Sequence, residues 1–294
     1  MQYKYYICDV FTKKRFGGNP LAVFPEAEGL TDNQMQQIAR EFNFSESSFV
    51  FPPEYGNTRK VRIFTPALEV PFAGHPNIGT AFVLASSGMI RDLHKSTEII
   101  FEEIAGFVPI FLRKFDDGSI WYELQAPEKL SIGEKVSVED LASAISLKSD
   151  DIITDTHPPQ QASVGLPFVI TELKDRQALK KASVNIEGFK KLASKYNTRF
   201  THIYIRSNDE FDIRTRMFGP FDGMMEDPAT GSANCALVGL LKHYNDSDAG
   251  EYEWNIAQGV EMGRPSYLKA RTQKKGGEVT ATFIRGNSVM AVRG

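Results

Sequence analysis

A sequence pattern that occurs twice constrains the fold of this chain more than any other feature. The first copy is Arg62-Ile63-Phe64-Thr65-Pro66 followed by Pro76-Asn77-Ile78-Gly79-Thr80-Ala81, and the second is Arg216-Met217-Phe218-Gly219-Pro220 followed by Pro228-Ala229-Thr230-Gly231-Ser232-Ala233. The two arginines are 154 residues apart and the two helix-side prolines are 152 apart, which is about half of the 294 residues. The repeat therefore predicts an ancient duplication that gave two similar halves.

Each copy predicts a strand, a tight loop and a helix. The Arg-x-Phe segment has the alternation of a strand with one buried face, and the proline after it ends the strand because proline cannot donate to a strand ladder. His75 and Asp227 then stand where a helix N-cap is expected, with Pro76 and Pro228 at the first helical position.

The residues after each proline suggest a binding site at the helix start. Gly79 and Gly231 would let a backbone or a ligand come close, while Thr80 and Ser232 would supply a hydroxyl in the first turn. A helix N-terminus carries unpaired N–H groups and a partial positive charge, so it suits a carboxylate or a phosphate. Two such termini facing one another predict a small anionic metabolite held between the halves. The alternative is two capped helices without a ligand.

Composition excludes several classes of function. The chain has 34 basic and 37 acidic residues, which gives no reason to expect a nucleic-acid partner. The longest apolar stretches are far shorter than the roughly 20 residues that a membrane span needs, and no signal peptide is recognisable. Cys8 and Cys235 make neither a disulfide framework nor a metal-binding spacing. We expect a soluble cytoplasmic protein without membrane association.

The remaining sequence predicts short elements around the two repeats. Thr31 and Gln34 form a capping-box pattern for a helix that runs to about Phe42. Residues 130–136 read as a linker, and His157, which precedes two prolines, is expected at the surface without a role. Glu46 lies where a loop becomes a strand, among small hydroxyl residues and aromatics. Such a carboxyl can act as a general acid or base, but an exposed edge-strand glutamate is an equal alternative.

Several short strings resemble the signatures of one enzyme family. They are Asp9-Val10-Phe11, Gly18-Asn19-Pro20, Ser45-Glu46, Phe72-Ala73-Gly74-His75-Pro76 and Glu226-Asp227-Pro228-Ala229-Thr230-Gly231-Ser232-Ala233. On these strings the chain resembles the phenazine-biosynthesis PhzF-like isomerases, which are relatives of diaminopimelate epimerase. The resemblance implies an α+β fold of two pseudo-symmetric domains, each a mostly antiparallel sheet rolled around a central helix. The expected domains are residues 1–128, joined by a returning C-terminal strand at 286–294, and residues 129–285.

The resemblance also implies an activity and a site. It implies a cofactor-independent isomerase in which Glu46 removes a proton from one carbon of a small carboxylate, such as a dihydro-hydroxyanthranilate, and returns it to another. His75 and Asp227 would orient the substrate or relay protons in a cleft between the domains. The expected substrate-binding residues are Gly74, Asn77, Gly79, Thr80, Gly231, Ser232 and Ala233. A homodimer is the commonest default for such a protein.

Two other functions compete with this interpretation. A two-thiol racemase would need a cysteine at each helix start, where this chain has His75 and Asp227. A two-lobed binding protein for small carboxylates would use the same helix ends without catalysis. Glu46 distinguishes the binding protein from the isomerase. An anion receptor has no use for a carboxylate in its pocket, whereas a proton-transfer enzyme requires one.

Overall fold

Stretches that form strands dominate the chain, and they are distributed over two units. A computed structural model describes residues 2–90, 93–116, 118–221, 224–245 and 249–294. Unit 1 comprises Met1–Gln125 and Arg285–Gly294, and unit 2 comprises Ala126–Ile284. Within the described ranges, no helix combines the length and the apolar character that a membrane crossing requires.

Unit 1 is built on a mostly antiparallel sheet with two parallel pairs. Its elements are β1 (Tyr6–Val10), β2 (Asn19–Phe24), α1 (Asp32–Phe42), β3 (Glu46–Phe51), β4 (Arg59–Phe64), β5 (Glu69–Val70), α2 (Gly74–Ser86), β6 (Ser96–Glu103), β7 (Gly106–Lys114), β8 (Ile120–Gln125) and β19 (Ser288–Arg293). The antiparallel pairs are β1–β19, β1–β2, β3–β4, β4–β5, β6–β7 and β7–β8. The β2–β3 and β4–β6 pairs are parallel.

Unit 2 repeats this arrangement. Its elements are β9 (Ser131–Lys135), α3 (Val138–Ala144), β10 (Ile152–Ile153), β11 (Gln160–Ser163), β12 (Pro167–Leu173), α4 (Arg176–Lys181), α5 (Ile186–Tyr196), β13 (Thr201–Arg206), β14 (Ile213–Gly219), β15 (Met224–Asp227), α6 (Gly231–His243), β16 (Gly250–Gln258), β17 (Ser266–Lys275) and β18 (Glu278–Gly286). The antiparallel pairs are β9–β11, β11–β12, β10–β12, β13–β14, β14–β15 and β16–β17. The β12–β13 and β14–β16 pairs are parallel. The predicted α+β class is confirmed.

Each unit has one central helix that is apolar on nearly every side. A helix without a polar face has to be buried, and α2 and α6 are buried over most of their thirteen residues. Helix α2 packs against strands near both ends of its sheet, namely β1, β2 and β19 on one side and β7 and β8 on the other. The sheet therefore curves around the helix. Helix α6 packs against β11, β12 and β17 in unit 2.

The predicted capping box on α1 is confirmed. The Thr31 hydroxyl accepts a hydrogen bond from the Gln34 backbone N–H at 3.3 Å, and the Gln34 side chain accepts one from the Thr31 N–H at 2.9 Å. Two of the four N–H groups that a helix start leaves unpaired are satisfied in this way.

Two expectations for unit 2 are wrong. Residues 131–135 form strand β9, paired with β11, because an exposed edge strand needs no apolar alternation and so resembles a linker in sequence. His157 is buried, with 1% of its surface exposed. Its ring stacks on Tyr204 and on Tyr244, and its Nε2 lies 2.9 Å from the Tyr204 hydroxyl. The aromatic neighbours and the hydroxyl are far away in sequence, so the local pattern did not reveal them.

The strand part of the sequence repeat is an equivalent structure in both units. Arg62 on β4 makes two parallel hydrogen bonds of 2.7 Å to Glu69 on β5, and Arg216 on β14 makes the same pair to Glu226 on β15. Each guanidinium also lies over the ring two residues further on, 5.2 Å from Phe64 and 4.9 Å from Phe218. Bidentate pairing and ring contact fix the hairpin that leads to each central helix.

The helix part of the repeat is out of register with the structure. Helix α2 begins at Gly74 and α6 at Gly231, which are 157 residues apart, so Gly79 is not the counterpart of Gly231. The equivalent segments run from Glu69 and from Glu226 and both read Glu-x-Pro-x-x-Gly-x-x-Asn. Pro71, not Pro76, therefore matches Pro228. The coincidence of a second Pro-x-x-Gly further along α2 led to the wrong alignment.

Gly79→Ala should destabilise the protein by about 1–3 kcal/mol, because an added methyl group overpacks the core. A Cβ at this position would lie 2.5 Å from Leu21 Cδ2 and 2.7 Å from Val10 Cγ2. Chemical denaturation at equilibrium would measure the loss.

Gly239→Ala is the matched control, since it also lies within a central helix but its Cβ would meet nothing closer than 3.1 Å. We expect the stability of this variant to be close to that of wild type, because the gain in helix propensity from alanine, about 1 kcal/mol, offsets the cost of this contact. Equal losses in the two variants would contradict the close packing of α2 on β1 and β2.

Candidate active site

Glu46 and His75 lie together in unit 1. Glu46 is the first residue of β3, and His75 is the second residue of α2. The Glu46 Oε2 atom is 3.5 Å from His75 Nδ1, with 19% of the Glu46 side chain and 6% of the His75 side chain exposed. A carboxylate that is partly exposed beside a buried imidazole can exchange a proton with a ligand while water has little access.

Asn19 and Ser45 extend this cluster. The Asn19 side-chain nitrogen lies 3.4 Å from His75 Nδ1, and the Ser45 hydroxyl donates to Asn19 Oδ1 at 3.3 Å. The tautomer of His75 decides its partner: an Nδ1–H would be directed to Glu46, whereas a bare Nδ1 would accept from Asn19. Either arrangement holds the ring beside the carboxylate. We call Asn19, Ser45, Glu46 and His75 the Glu46 cluster.

Burial keeps the imidazole of His75 neutral. Removal from water disfavours the charged ring and lowers the pKa of His75 to about 3. Its Nε2 is buried and has no hydrogen-bond partner among the described residues. His75 is thus a neutral group at any physiological pH and does not form a full ion pair with Glu46.

The start of α2 differs from the prediction. His75 is not the N-cap, since that position is Ala73, and Pro76 is the third helical residue. Gly74 opens the helix, and the Asn77 side chain donates back to the Ala73 carbonyl at 3.0 Å. Alanine has no side-chain acceptor, so it makes no capping hydrogen bond to the first turn. This is the open helix start that the sequence predicted, displaced by two residues.

Gly79 and Thr80 are not at the helix start. Gly79 lies more than a turn inside α2 and packs on β1 and β2, where there is no room for a ligand. Thr80 is fully buried, and its hydroxyl has no partner among the described residues. The structure therefore gives these two residues a place in the core.

Asp227 lies in unit 2 and is not a helix N-cap either. It is the last residue of β15, and its carboxylate accepts a 2.5 Å hydrogen bond from the Thr230 hydroxyl. Thr230 is the N-cap of α6 by backbone position, but it makes no side-chain capping bond because its hydroxyl is directed to Asp227. Asp227 is buried, with 5% of its surface exposed.

Gly231, Ser232 and Ala233 form the first turn of α6. Ser232 is half-buried, while Gly231 and Ala233 are buried. By helix register Ser232 is the counterpart of His75, since each is the second residue of its helix. The sequence prediction placed these three residues at a helix start, as the structure does.

Gln258, Asn234 and His202 form a buried network around this helix start that the sequence reasoning missed. The Gln258 oxygen accepts from the Thr230 N–H at 3.1 Å and from the Asn234 amide at 2.8 Å, and its nitrogen donates to the Asp227 carbonyl at 2.8 Å. His202 Nε2 lies 3.2 Å from Asn234 Oδ1. The sequence placed Gln258-Gly259 at a turn whose backbone N–H groups could help to hold an anion, and it gave the Gln258 side chain no role. The repeated Asn77 and Asn234 were the available signal for the network.

The two cysteines are buried and lie away from the helix starts. Cys8 is on β1, and burial raises the pKa of its thiol far above the usual range. Cys235 is the fifth residue of α6 and is 1% exposed. Across the described part of the chain, no group of three or more His, Cys, Asp or Glu side chains is arranged to hold a metal ion.

The α+β fold is that of the PhzF-family and proline-racemase-like structures. A Bacillus anthracis protein of the PhzF family has a crystal structure that matches with a TM-score of 0.91 at 26% identity, covering 100% of this chain and 99% of that one. A hydroxyproline epimerase from Agrobacterium vitis matches with a TM-score of 0.65 at 14% identity, covering 99% and 91% of the two chains, and so shares the fold.

The sequence comparisons identify the family. The sequence model of the family described as phenazine biosynthesis-like protein matches residues 8–294. A trans-2,3-dihydro-3-hydroxyanthranilate isomerase of Pseudomonas aeruginosa is 32% identical over 99% of this chain and 98% of that protein. The chain belongs to the phenazine-biosynthesis PhzF-like isomerase family, which confirms the resemblance inferred from its motifs.

His75→Gln should make stability less dependent on acid pH. In the wild type the unfolded state binds a proton on His75 near pH 6.5, whereas the folded state binds none above about pH 3, so folded stability falls as the pH drops. Between pH 7 and pH 5 this contribution is about 2 kcal/mol. Urea denaturation at both pH values would show a smaller loss in the variant than in the wild type.

His94→Gln is the control, because His94 is exposed. It should follow the wild-type pH dependence. If His75→Gln and wild type lost equal stability on acidification, His75 would not be held neutral in the folded protein.

Proposed function

We propose that Glu46 is the general base and proton carrier of a cofactor-independent isomerisation at carbon. The observation that carries the proposal is the 3.5 Å contact between Glu46 and a histidine that burial keeps neutral, at the start of a central helix. Because the His75 ring is neutral, its contact with Glu46 does not oppose the uptake of a proton by the carboxylate as a cationic ring would. Its partial burial limits competition from water.

The proposed reaction is a proton transfer within one molecule. Glu46 takes a proton from one carbon of the substrate, and the electron pair of that C–H bond enters the neighbouring conjugated system. The double bonds shift, and the carboxylic acid of Glu46 returns the proton to a different carbon. One C–H bond breaks and another forms, so no oxidant, reductant or co-reactant is consumed.

The charge that develops on the substrate needs stabilising groups in fixed positions. Helix starts supply N–H groups directed at an anion, and the N-cap residues Ala73 and Thr230 do not occupy them with side-chain caps. We assign substrate-carboxylate binding to the first turns that contain Gly74, Asn77, Gly231, Ser232 and Ala233. His75 and Asp227 would orient the substrate or relay protons.

The substrate class is a small carboxylate of the dihydro-hydroxyanthranilate kind. This choice rests on the activity of the Pseudomonas aeruginosa isomerase, because the similarity to that protein covers nearly all of both chains. Placement of the substrate between the two units, a homodimer and a cytoplasmic location stay predictions.

A two-thiol racemase fits the geometry poorly. Both thiols are buried, neither is in the first turn of a central helix, and burial raises the pKa of Cys8. A thiol of that kind is a weak source of thiolate. A non-catalytic carboxylate-binding protein remains the second candidate, because it would use the same helix starts.

Glu46→Gln should abolish proton transfer while leaving ligand binding intact. Wild type and variant are incubated in D₂O with trans-2,3-dihydro-3-hydroxyanthranilate and a panel of small amino and hydroxy acids, and deuterium incorporation at carbon is followed by NMR. We expect wild type to label a substrate and the variant to be slower by about 10² to 10⁴, the usual contribution of a general base.

Glu26→Gln is the matched control, since this glutamate is exposed and outside the cluster. It should label at the wild-type rate. Equal labelling by wild type and Glu46→Gln would remove Glu46 from the mechanism. If calorimetry shows tight binding of one of these compounds but none of the three proteins incorporates deuterium into it, the non-catalytic carboxylate-binding function would be favoured.

A further inference from the structure

Glu103 and Gln258 occupy equivalent places in the two units. In unit 1, β6 lies parallel to β4 with Glu102 opposite Lys60, which places Glu103 next to Val61. In unit 2, β16 lies parallel to β14 with Gln258 opposite Thr215. Because Arg62 and Arg216 are equivalent, Val61 matches Thr215, and Glu103 therefore matches Gln258.

Gln258 shows what this position does for a central helix. Its oxygen accepts from the Thr230 N–H and from Asn234, and its nitrogen donates to the Asp227 carbonyl and to the Thr230 hydroxyl. One neutral side chain thus connects the last strand residue, the N-cap and the first turn of α6. A carboxylate could not do this, because it has acceptors only.

Glu103 lies near the corresponding part of α2. Both of its carboxyl oxygens are buried, and neither has a hydrogen bond of ordinary geometry to a described residue. Two residues after Glu103, the backbone N–H of Ala105 donates to the carbonyl of Pro71, which lies just before α2. Asn77, the counterpart of Asn234, donates to the Ala73 carbonyl as Asn234 does to that of Thr230. The Asn77 Oδ1 atom is also buried and has no hydrogen-bond partner within the described part of the chain.

These unpartnered oxygens are all acceptors. An ionised carboxylate buried in this way is costly, and of Glu103 and Asn77 only the Glu103 carboxyl can take up a proton and become neutral. Burial raises the pKa of Glu103 to about 8, and the nearby Asn77 side chain offsets this shift in part. One pH unit below its pKa, about nine in ten of such groups are protonated.

We propose that Glu103 is a positioning residue which, as a neutral carboxylic acid, supports the start of α2 in the way that Gln258 supports the start of α6. Through Asn77 and the first turn of α2 it holds His75 beside Glu46. This part of the inference rests on the proposed function, whereas the neutral state of Glu103 does not.

The charged groups on the elements packed against β6 are engaged elsewhere or distant. On β4, Lys60 pairs with Glu54, Arg62 pairs with Asp32 and Glu69, and Arg59 donates to the Thr58 carbonyl. On β6 itself, Glu102 accepts from the backbone of Glu54, Tyr55 and Asn57. The β7 residues Arg113 and Lys114 lie toward the opposite end of β6, where Arg113 pairs with Ser96, and His75 is neutral.

The first test measures the proton on Glu103 without any substrate. Protein labelled with ¹³C at the glutamate carboxyl carbons is titrated by NMR from pH 5 to pH 9.5. We expect one carboxyl signal with a midpoint near pH 8 that is missing in Glu103→Gln and present in Glu98→Gln, an exposed glutamate on the same strand. If the signal lost in Glu103→Gln has the chemical shift of an ionised carboxylate from pH 5 to pH 9.5 and shows no midpoint in that range, the proposal is overturned.

Thermal unfolding gives an independent measure with a defined sign. The folded wild type retains a proton on Glu103 that the unfolded chain releases at acid pH, so wild-type stability falls as the pH rises toward 8. Glu103→Gln has no such loss. Its Tm should equal that of wild type near pH 4.5 and exceed it by at least about 4 °C at pH 8.5. A Tm difference between Glu103→Gln and wild type that is the same at pH 4.5 and at pH 8.5 would overturn the neutral state, because it would mean that Glu103 loses no proton between these pH values.

Positioning is tested by the ring signals of His75 and by turnover. Glu103→Ala should shift the His75 ring signals and lower kcat with little change in KM, whereas Glu103→Gln should preserve both the signals and kcat and remove an alkaline fall in activity near pH 8. Unchanged His75 signals in a folded Glu103→Ala variant would overturn the positioning role. If no compound is turned over, the proposed function fails, while the carboxyl titration and the Tm comparison still decide the state of Glu103.

Discussion

The rest of the structure depends on one hydrogen bond in each central helix. An asparagine in the first turn donates it to the carbonyl of the residue at the N-cap of the same helix. Asn77 does this at 3.0 Å in unit 1, and Asn234 does it at 2.9 Å in unit 2. Both helices are apolar on nearly all sides and sit inside a curved sheet, so a shift of either helix would expose or overpack many side chains at once. The asparagine fixes where the helix begins, and the sheet then fixes which residues stand at that opening.

The duplicated frame carries different chemistry in its two copies. The strand registers match Glu46 with Phe200, and the helix registers match His75 with Ser232. Asp227 in turn matches Val70, which is apolar. The two units therefore carry different groups at equivalent places: unit 1 has a carboxylate and a neutral imidazole, and unit 2 has a hydrogen-bonded carboxylate and a hydroxyl. A frame that is fixed by packing tolerates such exchanges, because these side chains are at the ends of helices and strands.

Sequence reasoning succeeded where the determining interactions are local and failed where they are not. The capping box at Thr31, the Arg-x-Phe strands and the family strings are each contained within a few residues. The alignment of Gly79 with Gly231 failed because a short Pro-x-x-Gly match carries less information than the pairing of Glu69 and Glu226 with their arginines across a hairpin. Burial of His157 depends on Tyr204 and Tyr244, and the support of α6 depends on Gln258, 28 residues after Thr230. No local pattern could indicate either.

The proposed neutrality of Glu103 also makes electrostatic sense of the helix start. The N-terminus of α2 has a partial positive charge that stabilises one nearby anion, and two anions at the same end repel one another. On the proposed mechanism the carboxylate of Glu46 and an anionic substrate already compete for that field. An ionised Glu103 would add a third negative group in a place with little water to screen it, whereas a protonated one adds no charge and leaves the helix N–H groups to the ligand. Unit 2 reaches the same neutrality with the amide of Gln258, which cannot ionise at all.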